Sequence, residues 1–165
     1  MAIWQYSLHF LPRLAVLERY SQIPLTISQN DFDDEEWWQS ATQRDDPRPA
    51  FDSIVKRATS WSTSIWMWGD EDGDRVHIGH TEGRIEDISI RVDVRTISFL
   101  FVHNIVSTAR HLDCLLLTEG RYLLTPSVPK LLTRITKSPS FRFVSVPQSF
   151  LAQLSDVETS NTHDE

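Results

Sequence analysis

Three strand-like runs, at 64–69, 75–80 and 85–94, constrain the fold more than any other feature of this chain. They are separated by Asp70-Glu71-Asp72-Gly73-Asp74 and by Thr81-Glu82-Gly83-Arg84, each a glycine-bearing set of polar turn formers. Such spacing predicts an antiparallel meander. Its alternation is cleanest in the third run. Ile88, Ile90, Val92 and Val94 face one way, and Ser89, Arg91, Asp93 and Arg95 the other. Trp66 and Trp68 share a face opposite Ile65 and Met67.

The flanks supply partners for this sheet. Residues 3–11 read as a strand ending at Pro12, with Trp4, Tyr6, Leu8 and Phe10 on its buried face. A short helix is expected over 14–20. Residues 28–43 read as a loop or weak helix, with one or two turns over 34–40. Asp46-Pro47-Arg48-Pro49 marks a break, because neither proline donates a backbone hydrogen bond and each restricts the residue before it. Phe51, Ile54, Val55 and Ala58 then suggest a helix over 51–59. Residues 97–112 carry an apolar stripe (97, 101, 105, 109, 112, with 102 and 106 beside it) that predicts a buried helix. Runs 114–117 and 121–124 flank Glu119-Gly120 as a hairpin, and 128–136 forms a helix that accepts Pro129 in its first turn. A last strand is expected at 142–146 and a closing helix at 147–154. The reading is therefore α+β: a central antiparallel β-meander packed by two or more helices, in a single domain over 1–154. An acidic tail, 155–165, is expected to be disordered.

At 165 residues the chain is long enough for one core without metals or disulfides, and Cys114 is its only cysteine. The first residues lack the basic region and apolar run of a signal peptide, and no window is apolar enough to span a membrane. A soluble cytoplasmic protein is the expectation. The formal charge of −7 is unevenly distributed: residues 31–87 hold fifteen acids against six bases, whereas 88–154 hold eight bases against three acids. The acidic middle repels phosphate, so no nucleic-acid partner is expected there. The bases of the second half are spread over expected helices and strands, with no nucleic-acid motif among them.

Chemistry-bearing motifs are few. Asp70-x-Asp72-x-Asp74 imitates the start of a calcium loop, but Arg75 stands where the turn needs glycine and Thr81 where a bidentate glutamate is needed. His77 and His80 have a zinc-like spacing, yet an odd offset in a strand sends them to opposite faces. His103 and His111 lie about 12 Å apart along a helix, without an evident ligand set. Cys114, beside Asp113 and near His111, opens an apolar strand, which favours an inert thiol. Arg91, Asp93 and Arg95 share a sheet face: if that face is covered, Asp93 is expected to sit between the two guanidiniums as a structural ion cluster, and if it is open the three charges can recognise a partner's. No metal, cofactor or catalytic residue is assigned. What stands out is that all six tryptophans lie within the first 68 residues, most beside dense acid. Rigid indoles supply contact area and carboxylates supply steering, the combination that docks a basic protein. The candidate partner-binding residues are Asp33, Asp34, Glu35, Glu36, Trp37 and Trp38, followed by Asp70, Glu71, Asp72 and Asp74.

The opening Ile3-Trp4-Gln5-Tyr6-Ser7, Glu35-Glu36-Trp37-Trp38, Trp61-Ser62, Trp68-Gly69 and Ile85-x-x-Ile88-x-Ile90-Arg91-x-Asp93-x-Arg95 together resemble, in style and order, the small single-domain bacterial immunity (antitoxin) proteins of polymorphic toxin loci. That resemblance implies inhibition by binding, an acidic surface facing a cognate and often basic protein toxin, and no cofactor. Two rivals stay open. One is a small ligand-binding protein or metal-dependent hydrolase, with a pocket beside the meander and His77 or His80. The other is a structural or oligomerisation protein that self-associates through its tryptophan face.

Overall fold

The computed structural model describes residues 2–39 and 45–146. Among them, seven strands form one antiparallel sheet: β1 (Gln5–Pro12), β2 (Arg57–Ala58), β3 (Ile65–Gly69), β4 (Arg75–Thr81), β5 (Arg84–Asp93), β6 (Cys114–Thr118) and β7 (Leu123–Leu124), in the order β2-β3-β4-β5-β1-β6-β7. The expected meander is present as β3-β4-β5, and β6-β7 is the expected hairpin. The N-terminal strand joins these two pieces. β1 pairs with β5 on one side and β6 on the other, so its apolar side chains reach the middle of the sheet. Tyr6, Leu8, Phe10, Leu11 and Pro12 are all buried. Trp4 falls just before the strand and is only partly buried, its Nε1–H donating to the Asp72 carbonyl at 3.0 Å and its ring lying under Arg95.

Six helices complete the described fold: α1 (Arg13–Tyr20), α2 (Gln29–Asp33), α3 (Arg48–Asp52), α4 (Phe99–His111), α5 (Val128–Thr136) and α6 (Pro139–Ser145). Four of them start at a serine whose hydroxyl accepts a backbone N–H three residues on: Ser28, Ser98, Ser127 and Ser138. These caps satisfy donors that the helix itself cannot. Phe101, Val102, Ile105, Val106 and Ala109 of α4 and Leu131 and Ile135 of α5 join the sheet residues in one core. Phe51 of α3 packs between Phe10 and Trp68, with ring centroids 6.3 and 5.6 Å away.

Three local expectations are corrected. Residues 142–145 are helical, not a strand, because Ser138 caps and Pro139 opens α6; Phe141 and Val144, three apart, then pack on the core. The helix expected at 51–59 instead spans Arg48–Asp52, since Pro49 fits a first turn, and Arg57–Ala58 leaves it to pair with β3. In the acidic segment the helix comes early, as α2, with Asp34 as its C-cap; residues 40–44 lie outside the described residues. The helix expected at 147–154 and the tail 155–165 also lie outside them.

Candidate functional site

The first acidic cluster is partly spent on internal contacts. Arg19 of α1 donates to Asp31 at 3.1 Å and to Glu35 at 2.6 Å, and Asp33 receives both of its contacts from the Gln29 amide. Arg19 is also the main reason that the Asp31 carboxyl lies below its ordinary range. Asp34 caps α2, and Glu36 is left exposed. Trp37 and Trp38, expected as docking anchors, are buried at 5% and 6% exposure. The Trp37 indole donates to the Phe32 carbonyl and stacks on Tyr20, so this acid-rich segment is pinned to the domain by its own aromatics. Buried to this degree, neither indole offers the exposed contact area expected of a docking anchor.

The second cluster is built differently. Gly69, at φ +86°, turns the chain at the end of β3, and a Cβ there would run into the Asp74 carbonyl oxygen. The carbonyls of the following turn are taken by Gln5, which bonds Glu71 and Gly73 (both 2.9 Å), and by Trp4 and Arg95, which both bond Asp72. The turn is therefore held by its backbone. Asp70, Glu71 and Asp72 point their carboxylates outward, whereas Asp74 turns in and accepts the Asp93 N–H at 2.8 Å, its carboxyl raised by burial.

The two predicted clusters do not form one surface. Glu36 lies beside the β4–β5 turn, whereas Asp70–Asp74 precede β4 at its other end; seven strand residues separate the ends by about 20 Å. The fold instead regroups acids from different segments. Glu36, Glu82 and Glu86 line a groove of about 640 Å³ whose floor includes Trp38 and Ile85, closed on one side by Arg84, which donates to the Gln39 carbonyl. The β5 side of this groove is shaped by a register shift: Gly79 opposes Asp87, but His80 opposes Ile85. The extra residue turns Ile85 to the buried side and leaves Glu86 outside.

An exposed aromatic shares this end of the sheet. Ile65 pairs with Gly79, and His80 N–H donates to Ser64 O at 2.9 Å, so the loop before β3 emerges beside the Thr81–Arg84 turn. That loop carries Trp61, 78% exposed. The other tryptophans are engaged internally. Trp68 is fully buried and donates to Asp52 at 2.7 Å; Trp66 lies 3.8 Å from the His80 ring and under the Arg48 guanidinium. Trp61, Glu82 and Glu86 were not among the partner-binding candidates drawn from the sequence. Only strand pairing brings them together.

The remaining sequence candidates separate. Asp93 pairs with Arg95 at 2.8 Å, while Arg91 stands directly opposite Arg75 on β4 instead of flanking Asp93 as expected. His77, next to this arginine pair, is pushed down to about 4, chiefly by burial and then by Arg75 and Arg91. His80 faces the other way, stacked on Trp66. Burial raises the Cys114 thiol to about 12. His103 and His111 are exposed, and among the described residues no group of three or more His, Cys, Asp and Glu is placed to hold a metal ion. No described helix is long and apolar enough to cross a membrane.

Comparison with known proteins returns nothing. No family model, no curated protein and no solved structure matches the chain. The functional reading therefore rests on the geometry of its own residues.

Proposed function

We propose that this chain is a protein-binding inhibitor of the immunity type, which neutralises a basic protein toxin through the sheet end formed by Trp61, Glu36, Glu82 and Glu86. The observation that carries the reading is the exposure of Trp61 at the same end of the sheet as a groove with three exposed glutamates. An indole at the same sheet end as carboxylates that make no ion pair among the described residues has the composition of an interface hot spot inside a steering field. The Asp70-Glu71-Asp72 turn is a second, independent acidic patch, prearranged by its backbone contacts.

The test is protection from killing. The chain is co-expressed with the toxic domain encoded by the gene beside its own, and growth is followed. Protection is expected from the native chain and from D70K/E71K/D72K; W61A and E36K/E82K/E86K are expected to lose it. A Trp61 hot spot implies at least ~2 kcal/mol, or roughly 30-fold in Kd, on truncation to alanine. Full protection by both W61A and the Glu36/Glu82/Glu86 variant would move the interface elsewhere, and no protection by the native chain would remove the immunity reading.

A further inference from the structure

At the other end of β1, a cavity of about 300 Å³ opens where four segments meet: β1, the β6–β7 turn, the end of α5 and the start of α6. Its wall brings together the Tyr6 phenol, the Thr118 hydroxyl, the Glu119 carboxyl, Arg134, Lys137 and Ser138. The volume is at the lower end of the range for small-ligand pockets, roughly 300–1,000 Å³. Three features of this wall concern charge.

First, the Arg134 guanidinium lies over the Tyr122 ring, its central carbon 3.4 Å from the ring centroid. Stacking fixes the plane of the fork but uses only its face; the N–H donors point outward from its edge. Second, the cations are not balanced locally. Val128–Thr136 contains no acid, Lys137 follows Arg134 by three residues, and neither makes an ion pair among the described residues. Like charges at this helical spacing repel. Third, the acid in the wall is poorly placed to neutralise them. Glu119 is partly buried, already accepts the Ser7 N–H at 3.2 Å, and has its carboxyl raised by that burial. Burial likewise raises the Tyr6 phenol, which stays protonated and shares a hydrogen bond with the Thr118 side chain, so this pair presents a neutral, prearranged polar edge to the cavity.

We propose that this cavity is a binding site for a small anionic molecule, its carboxylate or phosphate held by the edge of Arg134 and by Lys137, and a neutral polar group held by Tyr6, Thr118 and Glu119. The site goes beyond the docking reading and does not depend on it, since it lies at the far end of β1 from Trp61 and the glutamate groove. A small ligand is specified, not a macromolecular surface, because these residues line a cavity about ten water molecules in size. Cations near a helix C-terminus are also favourable to the helix itself, which by itself would leave them solvated and without a saturable ligand.

The test titrates the full chain, at constant ionic strength and neutral pH, with sodium phosphate and separately with sodium succinate, following the backbone amides of Gly120 and Ser138 by NMR. A saturable shift with a low-millimolar midpoint is expected with at least one probe, and the probe that saturates names the anion. R134Q should weaken that midpoint at least tenfold and K137Q about threefold. K130Q should bind like the native chain, because Lys130 bonds Thr125 outside this cavity. K137Q also keeps the test decisive should R134Q lose its fold. Linear, unsaturated shifts with both anions would overturn the proposal, as would an unchanged midpoint in the folded variants at Arg134 and Lys137.

Discussion

His77 shows how a single register position sets a pH response. Its neighbours on this face are Arg75 on its own strand and Arg91 and Asp87 on β5; burial and the two guanidiniums disfavour the imidazolium more than Asp87 supports it. The folded ring therefore takes up its proton only near pH 4, whereas an unfolded histidine does so near 6.5. Between these values the unfolded state holds more protons, so stability rises with pH. Stability contributed by the neutral ring is complete above about pH 6.5 and falls away as the pH is lowered toward 4. Urea unfolding at pH 7 and pH 4.5 should show this loss, and His77→Asn should flatten it. An unchanged pH slope in that variant would assign the response to another group. Asp31, Asp46, Asp52 and Asp93 act in a lower window: their folded carboxyls lie below the usual range, so their contribution is lost only as pH falls past the ordinary carboxylate value. The pairing of Arg75 with Arg91 could not be read from the sequence, because alternation assigns a face but not a partner.

At the scale of elements, the β4–β5 turn sets stability against function. Glu82 sits at φ 51° and Gly83 at φ 83°, the two left-handed positions of a tight hairpin. Glycine is at ease there, but glutamate is strained; asparagine is the side chain better suited to that position. Glu82→Asn should therefore stabilise the domain by about 0.5–1 kcal/mol and raise Tm by roughly 2 °C. It removes a carboxylate from the groove, so association with the proposed toxin partner should slow in the same variant. A calorimetric scan and an association-rate measurement check both halves, and a variant that gains no stability would deny the strain. Elements with a strong period were legible: α4 and α5 follow their apolar spacing, and β5 follows its alternation. Two other proline-bearing segments were not, because a proline in a first turn starts a helix while a proline elsewhere ends one: α3 and α6 begin this way, as the correctly placed α5 does with Pro129, but were read as breaks or strands. Trp37 and Trp38 were misplaced for a related reason. Neighbouring acids suggested a solvated face, but Glu35 and Asp31 are held by Arg19 while the indoles turn inward.

Across the whole molecule, the sheet converts one acidic stretch of sequence into two separated patches. The chain order places residues 31–36 and 70–74 on either side of β2 and β3, but β4 then carries the chain from the second patch to the Thr81–Arg84 turn, beside Glu36. About 20 Å of strand exceeds the Debye length of roughly 8 Å at physiological salt, so the patches act on a partner nearly independently. Charge reversal at one end should then leave the contribution of the other intact. For a toxin of the kind proposed as partner, E36K/E82K/E86K should lower the association rate and flatten its dependence on ionic strength. D70K/E71K/D72K should do so only weakly, and the six-site combination should equal the sum of the two effects in the logarithm of the rate. Stopped-flow association at several salt concentrations reads all of these. If the larger loss followed reversal of Asp70, Glu71 and Asp72, the partner would seat at the end of the sheet held by Trp4, Gln5 and Arg95. Trp61 would then be a bystander, and W61A would leave the dissociation rate unchanged.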